Sequence, residues 1–154
     1  MNHWLFKTEP DVFGIDELAA APRRTTSWEG VRNYQARNLL RDAMKKGDLG
    51  FLYHSSCAVP AIVGIVEIRS EAYPDASAWN PRSDYFDEKS SEQKPAWYTV
   101  DVQLKRRLKR AIALEELRAH ADDSLAGLWL LRKGNRLSVM PVESKHWDAI
   151  LAME

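Results

Sequence analysis

The segment Tyr98-Thr99-Val100-Asp101-Val102-Gln103-Leu104-Lys105 decides the class of fold. Apolar Tyr98, Val100, Val102 and Leu104 alternate with Thr99, Asp101, Gln103 and Lys105, the period of two expected of a strand with one face on a core and one in water. Outward from it, 3–9 reads as a strand ending at Pro10, which has no N–H for a ladder. Residues 48–54 and 61–72 read as two more strands, the second apolar on both faces as a central strand would be. A last short strand falls at 136–142. Helices are fewer. One covers 16–21. A longer one, 34–46, has Asn33 as its N-cap and Gly47 as its stop, and carries Ala36, Leu39, Leu40, Ala43 and Met44 on one face. A third covers 114–120, and 125–131 is an apolar segment that a helix would accommodate. Ser144 caps a C-terminal helix with Trp147, Ile150 and Leu151 on one face. Strands outnumber helices without alternating with them, which argues against parallel βαβ architecture. The expected class is α+β, a small and mostly antiparallel sheet or barrel with helices packed outside.

A chain of 154 residues with 45% apolar composition fits one domain able to bury a core. Repeats and long linkers are absent, so a single domain over 1–154 is expected. The lone Cys57 excludes a disulfide scaffold and suggests a reducing compartment. No apolar stretch approaches the roughly 20 residues of a membrane helix, and no basic segment leads into an apolar one at the N-terminus. The expected location is cytoplasmic, or nuclear in a eukaryotic host, with no membrane partner.

Catalytic patterns are sparse. The seven glycines form no phosphate-binding loop, and no His or Cys spacing supports a metal site, so neither metal nor cofactor is expected. His54 and Cys57 lie three apart at a strand end and read either as a nucleophile pair or as a strand-end His beside a small apolar Cys. Asp84, Asp87 and Glu88 read either as paired carboxylates or as solvated loop acids. They fall in the polar stretch 73–95, which lacks a period; loops of that length are usually functional or disordered.

Charge is balanced in total, 22 basic against 22 acidic residues, but not along the chain. Arg23, Arg24, Arg32, Arg37, Arg41, Lys45 and Lys46 face only Glu29 and Asp42, a local balance of +5. Of these, Arg37, Arg41 and Lys45 form a row on the polar face of the long helix. A second run, 105–110, holds five basic residues in six, and 67–92 is acidic by −4. Such rows either meet backbone phosphates or merely solvate a helix face and a strand end.

Six tryptophans stand at positions 4, 28, 79, 97, 129 and 147. Trp4, Trp129 and Trp147 fall on apolar faces and read as core. Trp28 lies outside any apolar period, among Ser27, Glu29 and Asn33, just before the basic helix. Trp97 opens a strand after the polar loop, and Tyr53-His54-Ser55 sets an aromatic and two polar groups at a strand end. An unstacked base needs an aromatic face and polar groups on its edges, and these residues could form such a wall. Trp79 reads either as a lid or as a clamp over an apolar edge. Asn33 reads equally as a helix cap and as a base-recognising amide.

The stretches Trp4-Leu5-Phe6-Lys7-Thr8-Glu9-Pro10, Trp28-Glu29-Gly30-Val31-Arg32-Asn33-Tyr34-Gln35-Ala36-Arg37-Asn38, Gly47-Asp48, Tyr53-His54-Ser55, Tyr73-Pro74-Asp75, Trp97 and Arg136-Leu137-Ser138-Val139 resemble the successive motifs of the EVE domain family. The resemblance spans essentially the whole chain. It implies a PUA-like pseudobarrel of mostly antiparallel strands flanked by helices, and a non-enzymatic module holding a modified base: a methylated or substituted cytosine in DNA, or a modified RNA nucleotide. By the same resemblance Trp28, Asn33, Tyr53, His54, Ser55 and Trp97 would line the pocket. Lys7, Arg32, Arg136 and Ser138 would stand at its rim, and the helix row Arg37, Arg41 and Lys45, read from its spacing, would then supply phosphate contacts. Two other readings stay open: an enzyme acting on a nucleotide or small ligand through His54, and an RNA-binding adaptor with a vestigial pocket.

Overall fold

The computed structural model describes residues 1–154. In chain order the strands are β1 (His3–Thr8), β2 (Thr25–Ser27), β3 (Leu49–His54), β4 (Ala61–Ile68), β5 (Tyr73–Pro74), β6 (Tyr98–Thr99), β7 (Asp101–Ala113) and β8 (Val139–Val142). The α-helices are α1 (Pro10–Phe13), α2 (Ile15–Ala20), α3 (Tyr34–Asn38), α4 (Leu114–Arg118) and α5 (Ser144–Leu151). Six strands form one sheet in the order β2-β7-β4-β3-β1-β8, and β5 pairs with β6 beside it. All neighbours in the large sheet run antiparallel except β1 and β3. That parallel pair is reached by a long crossover through α1, α2, β2 and α3, as parallel pairing requires.

The sheet curls into a half-barrel because β7 is longer than the strand it pairs with. Arg106 faces Ile65 and Leu104 faces Val66, so Lys105 is an extra residue, and a larger slip separates Arg107 opposite Gly64 from Ile112 opposite Ile62. Extra residues on one strand bend it and increase its twist. Leu5, Phe51, Ile62, Val66, Val102 and Leu104 are all buried and belong to one core, with residues drawn from both faces of the sheet. Phe6 needs Gly50 on β3: a Cβ there would lie 2.7 Å from the Phe6 ring. From α5, Trp147 slots between His3 and Phe51, stacked at 4.3 and 4.0 Å between ring centres.

Several elements differ from the sequence reading. The helix from Tyr34 changes at Leu39 into a π turn that ends at Ala43, and Met44 donates its N–H to the Leu39 carbonyl at 3.0 Å. The wider turn leaves both Leu40 and Met44 in the core. Strand β4 stops at Ile68 and β8 begins only at Val139, while β7 continues through the second basic run to Ala113. Residues 129–131 form a single 3-10 turn. Glu143, not Ser144, occupies the N-cap of α5. Trp4 and Trp147 are buried as expected, whereas Trp129 is half-buried and carries Arg132 on its face.

Candidate functional site

Strand β2 lies four places from β1 in the sheet order, yet the curl brings the ends of both to one cavity of about 520 Å³. That size falls within the roughly 300–1,000 Å³ of small-molecule sites. Lys7 and Thr8 come from β1 with Glu9 just beyond, Val12 and Phe13 from α1, Thr26 and Ser27 from β2, and Trp28 to Val31 from the segment after β2. Ser138, just before β8, and Tyr85, from the long polar segment, complete the lining. Trp28 is 8% exposed and is held edge-on against Phe6 at 5.3 Å, while its backbone N–H donates to the Val100 carbonyl at 2.9 Å.

Residues 75–97 are polar but tightly tied down. Asp75 is 1% exposed. Its Oδ2 accepts from the Gly30 N–H at 2.9 Å and from Arg32 Nη1 at 3.0 Å, and its Oδ1 from the Ser77 N–H at 3.0 Å and hydroxyl at 2.6 Å. Arg32 also donates through Nε and Nη2 to the Tyr85 carbonyl at 3.1 and 2.7 Å. This clamp sets the Tyr85 ring against Gly30. Gly30 has φ +89°, and a Cβ there would stand 2.6 Å from that ring, so only glycine suits both the backbone and the contact. Burial pushes the Asp75 carboxyl up, but its bonds from Gly30, Ser77 and Arg32 outweigh that and hold it below its ordinary 3.8.

The cavity's own titratable groups are less satisfied. Burial pulls the Lys7 ammonium below its ordinary 10.5. Desolvation, with the nearby Asp75 carboxylate, pushes the Glu29 carboxyl above 4.5, against the pull of Arg32. A donor-rich Lys7, an acceptor at Glu29, the Ser138 hydroxyl and the Trp28 ring thus meet in one hollow with apolar Val12, Phe13 and Val31.

Of the residues named from sequence, Trp28, Lys7 and Ser138 come together at the cavity. The others lie elsewhere. Tyr53 is buried in the core, and the Ser55 N–H is bonded to the Thr8 carbonyl at 2.9 Å. His54 Nε2 accepts from the Ile15 N–H at 3.1 Å, and burial lowers its imidazole below 6.5 against the influence of Asp16 and Glu17. Neither His54 nor Cys57 lines the cavity. Trp97 stacks on Tyr34 at 4.6 Å and donates its indole N–H to Asp87 Oδ2 at 2.7 Å. Asn33 caps α3 by accepting from the Ala36 N–H at 2.9 Å. Arg37 donates to the Ala96 carbonyl, Arg41 pairs with Asp42, and Lys45 is exposed without an ion pair. Arg136 stands at a second, smaller hollow.

Sequence reasoning assigned no role to Glu29, Tyr85 or Asp75. Glu29 and Asp75 sit inside quoted motifs, so the motif was the available signal. Tyr85 lies in a segment without period and offered none.

A curled six-stranded sheet opening on one aromatic and polar cavity is a PUA-like half-barrel. The EVE domain family model matches residues 2–153, and the chain belongs to the EVE domain family. Thymocyte nuclear protein 1 of Gallus gallus is 43% identical over 166 residues, which cover 99% of this chain and 68% of the relative. The crystal structure of human THYN1 protein in complex with 5-methylcytosine containing DNA superimposes with a TM-score of 0.95 at 40% identity, over 99% of this chain and 97% of that one. A crystal structure of a Pseudomonas putida protein matches with a TM-score of 0.92 at 46% identity, over 98% of each chain.

Proposed function

We propose that this protein is a non-enzymatic DNA-binding module that holds a methylated cytosine, turned out of its stack, in the cavity beside Trp28. The observation that carries the reading is the whole-chain likeness to a human protein crystallised with 5-methylcytosine DNA. The cavity's chemistry supports it. A cytosine presents an exocyclic amine that donates and a ring nitrogen and carbonyl that accept. Glu29 can accept from the amine, and Lys7 and the Ser138 hydroxyl can donate to the acceptors. Trp28 offers the stacking face, and Val12, Phe13 and Val31 offer apolar surface to a methyl group. No step here needs a nucleophile or a base: His54, the group an enzyme would use, already spends Nε2 on the Ile15 N–H.

Stacking contributes about 1–3 kcal/mol per base, so Trp28→Ala should weaken binding roughly tenfold or more. Titration of matched oligonucleotides with cytosine or 5-methylcytosine, in DNA and in RNA, tests the reading. Tighter binding to methylated DNA, abolished in Trp28→Ala, is the expected result. Equal affinity for every oligonucleotide would defeat it, and a preference confined to modified RNA would move the substrate to RNA.

A further inference from the structure

Beside the base cavity lies a second hollow of about 310 Å³, walled by Asn33 and Gln35 on one side and by the turn 129–137 on the other. The two hollows share a ridge. Val31 lines the first and Asn33 the second, and Ser138 lines the first while Arg136 lines the second. Two residues of extended chain span at most about 7 Å. That is the axial rise of about two nucleotides of a DNA strand at roughly 3.4 Å each.

The lining is unusual for its charge. It holds Arg132, Lys133 and Arg136 and not one carboxylate. None of the three side chains takes part in an ion pair, whereas Arg32, Arg41, Arg106, Arg107 and Arg110 are all paired. Arg132 lies over the Trp129 ring at 4.2 Å. The turn that presents them is fixed: Asn135 Nδ2 donates to the Trp129 carbonyl at 2.7 Å, and its Oδ1 accepts from the Leu137 N–H at 2.9 Å. Three unneutralised cations held on a fixed turn, with amides around them and no acid to repel an anion, suit a group with several charged oxygens.

We infer that this hollow is a phosphodiester site: it takes the backbone of the DNA strand next to the nucleotide whose base occupies the larger cavity, so that the strand crosses the ridge between them. The inference rests on the DNA reading above. It assigns Lys133 and Arg136 to the phosphate and places Arg132, braced on Trp129, behind them.

The test uses the full chain and methylcytosine oligonucleotides carrying a single neutral methylphosphonate, moved one linkage at a time to either side of the modified base. The wild-type protein should bind about 5- to 10-fold more weakly at one or two adjacent linkages on one side only. Lys133→Ala/Arg136→Ala should bind the all-phosphate strand about tenfold more weakly than wild type and ignore those substitutions. Its slope of log affinity on log salt should be shallower by about 1 to 2, near 0.9 for each of the one or two phosphates that is no longer neutralised. Both side chains are exposed, so the melting temperature should be unchanged. A linkage scan identical in wild type and variant, or an unchanged salt slope, would overturn the inference. So would displacement of DNA from wild type alone by inorganic phosphate at matched ionic strength, which would make this a free-phosphate site. The methylcytosine-to-cytosine affinity ratio reports separately on the base cavity: its collapse to one with the linkage effect intact would refute the base reading and leave the phosphodiester site standing.

Discussion

Asp75→Asn tests whether one buried carboxylate builds the cavity wall. The substitution keeps the shape of the side chain and removes its charge. Each carboxylate oxygen of Asp75 accepts two hydrogen bonds, from Gly30 and Arg32 at one and from both donors of Ser77 at the other. The amide nitrogen of Asn must therefore face a pair of donors whichever way it turns. Hydrogen bonds to a charged group contribute about 1.5–3 kcal/mol, and removing one partner of a buried ion pair costs about 3–5 kcal/mol. The Arg32 side chain is 23% exposed and regains water, which favours the lower end, a loss of about 2–3 kcal/mol. For a domain of this size about 2–4 °C follows each kcal/mol, so the melting temperature should fall by about 4–12 °C. Arg32 also holds the Tyr85 carbonyl, and with its own position loosened the affinity for methylated DNA should drop by about tenfold at temperatures where the variant is still folded. Acidification supplies a control with a definite sign. The folded carboxyl lies below its ordinary 3.8, so its contribution is whole above that value and is lost as pH falls through the folded one. Melts of both proteins from pH 7 down to pH 2 should draw closer together once the pH falls below 3.8. A variant melting within 1 °C of wild type at pH 7, or a gap that does not narrow in acid, would refute the reasoning.

Lys7→Met should raise the melting temperature by a degree or more while weakening binding about tenfold. The Lys7 ammonium is held below 10.5 by burial, so its charge opposes folding at neutral pH, and that cost is relieved only as pH rises from the folded value toward the ordinary one. Calorimetry beside an oligonucleotide titration checks both halves, and a destabilised variant with undiminished affinity would contradict them. Arg106→Ala should lower the melting temperature above pH 5 and leave it unchanged near pH 2. Glu154, bonded to Arg106 and to the Lys109 N–H, has its carboxyl pulled down to about 2, so its contribution is present above about 4.5 and fades as pH falls toward 2. Thermal melts from pH 2 to 7 would show the convergence, and parallel curves would exclude it.

How far the fold was legible depended on whether a local period survived its neighbours. The alternation at 98–105 was plain because Val100, Val102 and Leu104 all face the core. The same strand was missed beyond Lys105 because that residue is a bulge, which leaves Lys105, Arg106 and Arg107 all exposed in succession and erases the period of two. The helix from Tyr34 was legible for one turn and then wound differently, as a π turn over Leu39–Ala43 that the apolar spacing alone does not distinguish from an α-helix. At the site, Trp28 stood out because it belongs to no apolar pattern. Trp97 stood out for the same reason, yet its ring and its N–H are taken up by Tyr34 and Asp87, partners that no spacing along the chain foretells. Tyr85 reaches the cavity only through the Asp75–Arg32 clamp, a bond across 53 residues for its carbonyl and thus invisible to any local reading.

Charge shows how much a linear count conceals. The run at 105–110 reads either as a phosphate-binding row or as a solvated strand end, and the structure shows Lys105 paired with Glu67, Arg106 with Glu154, Arg107 with Asp16 and Arg110 with Glu116. In the earlier run Arg32 is held by Asp75 and Arg41 by Asp42. The acidic segment is spent in the same way: Asp75 and Asp87 fasten residues 75–97 to Gly30, Arg32 and Trp97. What remains unneutralised around the two hollows is Lys7 in one and Arg132, Lys133 and Arg136 in the other. A protein with zero net charge exerts little pull on DNA beyond a Debye length of about 8 Å in physiological salt. A handful of free cations at two adjoining hollows acts only once the strand is already there. Such a molecule would gain little from sliding along unmodified duplex, and its residence on DNA would be governed by whether the base cavity is filled.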